Sequence, residues 1–548
     1  MQHSTSSQSY SYFIATVVSL GGFIFGFDAS VISGAVGFLS HEFGLSDWQI
    51  GMVVGAPTIG AIAGSLSAGP VADAVGRRPM LMAIAALYLV SAGASAFAPG
   101  YEMLVLARFI GGIAFCSLIV APMYIAEVAP AQQRGKMISI NQLNIVVGFS
   151  VAYFANYVIL QLSKQPLPWV QALSINDETW RWMLGIEILP ALMYLLLLPL
   201  IPESPRWLIM KGRDVHAEVV IQKLTNSLDI ARSSLEEIKA SVKEVAHQSQ
   251  QAQWIQLIGK VKSVFSRKMR LVLAIGVVAG IAQQVTGVNA IYFYAPTIFE
   301  QSGVGTDAAF AQAVLVGITN VVFTVVAMMM IDRIGRRPLM ILGLSGVIVS
   351  MCICSVGFKQ ADYVITSSAV QELNLSQEID LSPLIGQHFE SDVEFKKALS
   401  DQLGRSAAKQ HEATLLQAAA NINAVVILVG ILAFVASFAV SLGPVMWVLL
   451  AEIFPNHLRG VAISIVGLIN SGVSFCVQVV FPWELSTLGA STTFFLFGIM
   501  ALVSLVFIVK LLPETKGKSL EVLQEELTLS SPNNSTTKKT NKVLGDIA

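Results

Sequence analysis

Twelve long apolar runs leave the backbone of this chain few choices. Each is about 20 residues or longer, the length a helix needs to cross a bilayer. In hydrocarbon every N–H and C=O must find its partner inside the segment, so the runs have to be helices. They are Phe13–Leu39, Gln49–Ala68, Met80–Ala98, Met103–Ile125, Ile138–Leu160 and Trp182–Leu200, then Leu271–Phe299, Ala309–Ile331, Leu339–Phe358, Ala419–Leu450, Val461–Val480 and Thr492–Leu512. The expected fold is an all-α membrane protein of twelve transmembrane helices. Charged residues make up only 13% of the chain, against about 25% in ordinary globular proteins, which excludes an array of soluble domains. A net charge of −1 suggests neither nucleic-acid binding nor an acidic tail, and the apolar runs make the lipid bilayer the expected surroundings. Cys116, Cys352, Cys354 and Cys476 all lie in apolar runs and read as small core hydrophobes. No His/Cys set has metal spacing and no histidine falls in a run, so neither a metal, a cofactor nor an enzyme is expected.

Basic residues set the orientation. The short connections on the side of the termini hold Arg77, Arg78, Arg134, Lys136, Arg333, Arg336, Arg337 and Arg459, whereas those on the other side hold Lys164 and Arg181. That bias places both termini in the cytoplasm of a multi-pass cell-membrane protein. Two polar stretches interrupt the pattern: a cytoplasmic linker, 202–270, expected to form short helices, and an outer insertion, 359–418, read as a solvated insertion whose DLSPLIGQ and EFKKALSDQLG segments look loosely helical. The remaining divisions are an N-terminal half, 1–201, a C-terminal half, 271–512, and a cytoplasmic tail, 513–548. Glycosylation sequons stand at Asn374 on the outside and at Asn533 and Asn534 in the tail.

Three charged groups stand deep inside the runs, away from their ends: Asp28, Arg108 and Glu187. Each costs about 2.5–3.5 kcal/mol on insertion scales, so a task or a partner is expected for it. At ~1.5 Å per residue, Asp28 lies ~16 Å from the outer end of its run, and Arg108 and Glu187 ~8 Å from theirs. The first run is overlong; an end nearer Gly34 brings all three to a similar depth. An arginine keeps its charge, so a nearby Arg108 holds Asp28 ionised and its departure lets the carboxylate take a proton.

The chain also repeats itself. GRRP at Gly76–Pro79 returns at Gly335–Pro338, Glu127-x-x-Pro130-x-x-x-Arg134-Gly135 returns as Glu452-x-x-Pro455-x-x-x-Arg459-Gly460, and PES at Pro202 returns as PET at Pro513. Each copy holds the same place in its six-span half. Two related halves around a midplane site describe a transporter that rocks.

The segments GFDASVISG, RFIGGI, PMYIAEVAP, WRWMLGIE, PESPRWL, QQVTGVNAIYFYAP, GPVMWVLLAEIFP and PETKG together resemble the sugar-porter branch of the major facilitator superfamily, with bacterial proton-coupled pentose symporters as the nearest likeness. The resemblance implies a proton-coupled importer of a pentose or hexose, working as a monomer with the proton as its coupling ion. A facilitative sugar uniporter and a proton–myo-inositol symporter are the alternatives, and a sugar sensor a more distant one. Proton-coupled members resemble this chain at Asp28, Arg108 and Glu187 alike, which favours coupling.

A hydroxyl-rich ligand calls for neutral amides and an aromatic platform. Gln283, Gln284 and Asn289 of the seventh span meet that need, with a helix break expected at Thr286-Gly287 between them. By resemblance, Phe25, Gln142, Asn320, Trp447 and Asn470 join them as sugar contacts, while Phe293 stands where an aromatic hydroxyl is usual in the family. The inner charges are expected to act as gates. Asp73 with Arg77 and Arg78, Glu127 with Arg134, Glu452 with Arg459, and Asp332 with Arg336 and Arg337 are read as ion pairs linking the halves when the inner side is shut, with Glu203 and Arg206 joining them. Gly443-Pro444 is read as the hinge of span ten.

Overall fold

The computed structural model describes residues 2–129, 133–225, 232–233, 235–240, 250–367, 381–455 and 457–516. Asn374 and the tail beyond 516, with its two sequons, lie outside them. Twelve helices among the described residues are long and apolar enough to cross a membrane: Ser9–Glu42, Asp47–Val75, Arg77–Ala96, Tyr101–Val128, Arg134–Ser163, Thr179–Leu200, Arg270–Phe293, Thr306–Ile331, Arg336–Lys359, Ala424–Ile453, Arg459–Thr487 and Gly489–Leu511. They are called spans 1 to 12 below. The face bearing the start of span 1 and both GRRP turns is the near face, and its opposite the far face. Span 1 runs unbroken to Glu42, so the shorter end expected near Gly34 is not what forms.

Close backbone approach sets the packing of the first half. A Cβ on Gly26 would stand 2.0 Å from the Ile145 carbonyl oxygen, and one on Gly148 2.1 Å from that of Phe23. Spans 1 and 5 therefore cross with their backbones almost touching, which only glycine permits. Cys116 and Cys354 are buried as expected, but Cys352 and Cys476 are exposed on their spans. Helical periodicity puts alternate members of an apolar run on the outer surface, where lipid is as good a neighbour as core.

The outer insertion is a folded cap: its EFKKALSDQLG and DLSPLIGQ segments are helical as expected, but they are packed on a sheet and not merely solvated. Strands β1 (Asp362–Val364), β2 (His388–Phe389) and β3 (Ala420–Asn421) form an antiparallel sheet in the order β2-β1-β3. Helices Asp392–Leu403 and Arg405–Ala419 pack on it around Tyr363, Ile365, Phe395, Leu399, Leu415 and Leu416. The cap sits on the far ends of spans 7 and 12. Gln301 Nε2 donates to Glu412 Oε1 at 3.3 Å, and the Ala490 N–H to Asp392 Oδ2 at 3.4 Å. Lys396 bridges the two acids, 3.4 Å from Asp392 and 3.3 Å from Glu412. On the near face the linker forms helices Pro205–Met210, Asp214–Thr225 and Gln250–Val264, as expected.

Glu300 lies beneath the cap, just past span 7. Burial first, and the charge of Glu412 after it, push its carboxyl up to about 7, against the opposing pull of a hydrogen bond from Thr306. A carboxyl raised on folding binds its proton more tightly in the folded state. Its contribution to stability is complete below the unfolded value of about 4.5 and is lost as pH rises to about 7. Thermal melts of the purified protein should therefore fall in midpoint across that window, and Glu300→Gln should flatten the fall and leave the variant more stable than wild type above it.

Candidate functional site: a buried charge set and an amide cage

Asp28, Arg108 and Glu187 come together as the sequence suggested. All three are buried, at 0%, 2% and 2% exposure. Arg108 Nη1 is paired with Asp28 Oδ1, and Nη2 donates to the Asp28 carbonyl at 3.1 Å. Span 6 breaks at Ile186–Glu187, and the carboxyl of Glu187 is turned onto Asp28 and Arg108. Gly111 keeps the space open, since a Cβ there would meet Ser91 Oγ at 2.4 Å and Asp28 Oδ2 at 3.4 Å. Three polar atoms of the set have no partner: Asp28 Oδ2, Glu187 Oε1 and Arg108 Nε. Two carboxyls face one guanidinium, so the set is electrically balanced only with one further proton on it.

The second cluster lies across the molecule. Span 7 breaks after Val285, where Gly287 takes φ +85°, a left-handed turn in which any Cβ would also strike the Phe497 ring. The break turns Asn289 back towards Gln284, and Asn289 Nδ2 donates to Gln284 Oε1 at 2.8 Å. Gln284 Nε2 donates to Asn470 Oδ1 at 3.2 Å, and Asn470 Nδ2 to Gln283 Oε1 at 2.9 Å. Gln283 Nε2 reaches the carbonyls of Leu442 and Gly443 at 3.0 and 3.3 Å. Span 10 interrupts at Ser441, three residues before Pro444, close to the expected hinge.

Ser474 and Gln478 extend this cage and were missed. They follow Asn470 at intervals of four residues on one face of span 11, a stripe the sequence does carry. Among the described residues, Phe25, Gln142, Asn320 and Trp447 do not hydrogen-bond to the cage. Phe25 stacks edge-on against Phe115 and Phe149, with ring centroids 4.6 and 6.4 Å apart, and Phe149 meets Tyr292 of span 7 at 5.4 Å. Gln142 is exposed two turns before Phe149, Trp447 is exposed beside Gly467 of span 11, and Asn320 is buried on span 8.

The near-face charges pair differently from the expectation. Glu127 binds Arg77 through Nε and Nη2, both at 3.0 Å, and accepts from Ser204 Oγ; Arg134 is exposed. Glu452 binds Arg336 at 2.8 Å and Thr515 Oγ1 at 2.6 Å, and Arg459 Nε has no partner. Asp73 pairs with Arg77 at 2.9 Å as expected. Arg78 and Arg337 instead donate from Nη2 to the carbonyls of Pro199 and Val509, each at 2.9 Å. Glu203 accepts from the N–H groups of Arg77 and Arg78, and Glu514 from those of Arg336 and Arg337. Burial pushes Glu203 above the ordinary carboxylate range, whereas the N–H groups around Glu514 outweigh its burial and hold it below. Arg206 is exposed, and the side chain of Asp332 lies outside the described residues. Every one of these pairs lies within one half, not between halves.

Between the halves, the described contacts lie away from the near face. Lys164 meets Asp307 at 2.5 Å, Ser486 Oγ donates to Asp47 Oδ2 at 2.6 Å, and Trp48 stacks on Trp483. Tyr153 donates its hydroxyl to the Tyr292 carbonyl. The structure is shut on the far face, and its near-face charges are folded back into each half.

A family model described as "Sugar (and other) transporter" matches residues 14–370 and 408–527. The chain belongs to the sugar transporter family. It is 31% identical over 522 residues to the arabinose-proton symporter of Bacillus subtilis, covering 95% of each chain. It is 31% identical over 552 residues to the D-xylose-proton symporter of Escherichia coli, covering 94% of this chain and 96% of that one. Among solved structures, the inward-open form of the xylose transporter XylE from E. coli aligns with a TM-score of 0.70 at 30% identity, over 94% of this chain and 99% of that one. The transporter's near-face lattice sets a stability test. Arg77→Ala leaves the Glu127 carboxylate, 9% exposed, without its cation. The expected loss is about 3–5 kcal/mol, read as a fall in the detergent melting midpoint, and Glu127→Gln in the same chain should restore part of it.

Proposed function

We propose that this multi-pass plasma-membrane protein imports a pentose or hexose together with a proton by alternating access. The carrying observation is the buried set of Asp28, Glu187 and Arg108, which is one proton short of balance. In the cycle, a proton from outside neutralises Asp28 and frees it from Arg108. Sugar hydroxyls then replace the amide-to-amide bonds of Gln283, Gln284, Asn289 and Asn470, with Gln142, Asn320 and Trp447 closing in from the facing spans. Phe25 supplies the aromatic platform. The halves, 1–201 and 271–512, rock about this site, joined by the linker 202–270, and proton and sugar leave on the near face. That face, with both termini and the basic turns, is the cytoplasmic one, and the carrier works as a monomer. The names of the arabinose and xylose relatives support coupling to a proton and a five-carbon substrate.

In sealed vesicles, Asp28→Asn should abolish uphill accumulation of labelled sugar while retaining counterflow, because exchange needs the sugar site but no net proton movement. Undiminished uphill uptake would sink the coupling assignment. Adding sugar to de-energised cells should make a weakly buffered medium more alkaline with wild type and leave it unchanged with the variant.

A further inference from the structure

Beyond Asn470, the polar stripe of span 11 ends on Gln478, which is 1% exposed and bonded to the other half of the molecule. Its Nε2 lies 2.7 Å from Ser474 Oγ and 3.0 Å from Thr58 Oγ1 of span 2. The Thr58 hydroxyl is 3.2 Å from Gln478 Oε1, so the two side chains can exchange a donor in either direction. Ser474 Oγ also accepts from Asn289 Nδ2 at 2.6 Å, which ties the pair to the amide cage. Tyr294, just past the end of span 7, donates its hydroxyl to the Gln478 carbonyl at 3.0 Å and fixes that turn of span 11. Around the pair, spans 2 and 11 approach closely, backbone to backbone at Gly51, where a Cβ would stand 2.3 Å from the Val479 carbonyl oxygen, and backbone to side chain at Gly55, where a Cβ would stand 3.0 Å from the Val479 side chain. Opening the far face means drawing span 2 away from span 11. The Thr58–Gln478 bond cannot survive that separation.

We propose that Thr58 and Gln478 form a latch that holds the carrier shut on its far face, with Gln478 a positioning residue linked to the ligand cage through Ser474. This rests on the alternating-access reading above and adds to it the element that sets the balance between the two openings. The latch belongs to the shut far face alone, so breaking it raises the share of carrier open to the outside. A ligand that binds only one form has an apparent affinity scaled by the population of that form. One neutral hydrogen bond shifts such a population by about 2- to 10-fold.

The test is sided transport by Thr58→Val and Gln478→Leu, in right-side-out and inside-out vesicles. The probe is whichever of labelled D-xylose, L-arabinose, D-glucose and myo-inositol the wild type accumulates. The outside KM should fall about 2- to 10-fold and the inside KM should rise, the double variant should match the single ones, and Thr58→Ser should behave as wild type. KM values that stay put or move in the same direction on both sides, or additive effects in the double variant, overturn the latch; Thr58→Val alone decides the matter where Gln478→Leu does not reach the membrane. A sugar-free measurement separates this from the transport reading. With the four cysteines changed to Ser and spin labels carried on Gln171→Cys and Gln387→Cys, Thr58→Val should add a population at longer distance. An unchanged distance distribution refutes the latch even if none of the four sugars is carried.

Discussion

One guanidinium paired with a buried carboxylate, with a second carboxyl turned onto that pair, is the constraint around which the first half is arranged. Charges in a bilayer interior need partners close by, because neither lipid nor apolar side chains can screen them. Arg108 meets that demand on span 4, Asp28 on span 1 and Glu187 at the break in span 6. The neighbours are small where the groups must approach, with Gly111 leaving room beside the Asp28 carboxylate.

The two halves carry one near-face device twice. In the first, Arg77 lies on Glu127, Ser204 donates to that acid, and Glu203 receives the N–H groups that open span 3. In the second, Arg336, Glu452, Thr515 and Glu514 repeat each bond. The Arg77 and Arg336 guanidiniums even donate to equivalent carbonyls, Ala72 and Ile331, each at 3.1 Å. Such a lattice ties spans 2, 3 and 4, or 8, 9 and 10, to the segment that follows span 6 or 12. Each half can then turn as a body, as rocking requires.

Much of this was legible in the sequence for physical reasons. Twelve apolar runs announce their helices because hydrocarbon tolerates nothing else, and Asp28, Arg108 and Glu187 stood out because charges there are expensive. Gly287 betrayed the break in span 7, which brought Gln284 and Asn289 within 2.8 Å. Among the near-face pairs, Asp73 with Arg77 was legible and the pairs of Glu127 and Glu452 were not. Spacing within one motif suggested Glu127 with Arg134, but the GRRP turn delivers Arg77 to Glu127 from another helix, a contact fixed by tertiary packing. The helical segments of the cap were visible, but its sheet was missed because strands of two or three residues leave no periodic trace, and its core assembles from residues far apart in the chain. Gln478 was missed for a different reason: its interval from Asn470 was visible, but its partner Thr58 lies in the other half.

The buried charge set and the amide cage sit in different halves, so any coupling between them has to pass through something that touches both. The described contacts offer one such route. Three residues past Asp28, the Val31 carbonyl accepts from Asn156 Nδ2 of span 5 at 3.0 Å. One turn before Asn156, Tyr153 donates its hydroxyl to the Tyr292 carbonyl, on the short helix that also carries Asn289. A shift of span 1 that followed release of Arg108 from the Asp28 carbonyl would therefore bear on span 5 directly, and through Tyr153 on the part of span 7 that carries Asn289. Spans 1 and 5 are packed backbone to backbone at Gly26 and Gly148, so there is little slack in which such a shift could be absorbed. The buried charges and the amide cage need not touch; a helix bonded to both is enough to link them.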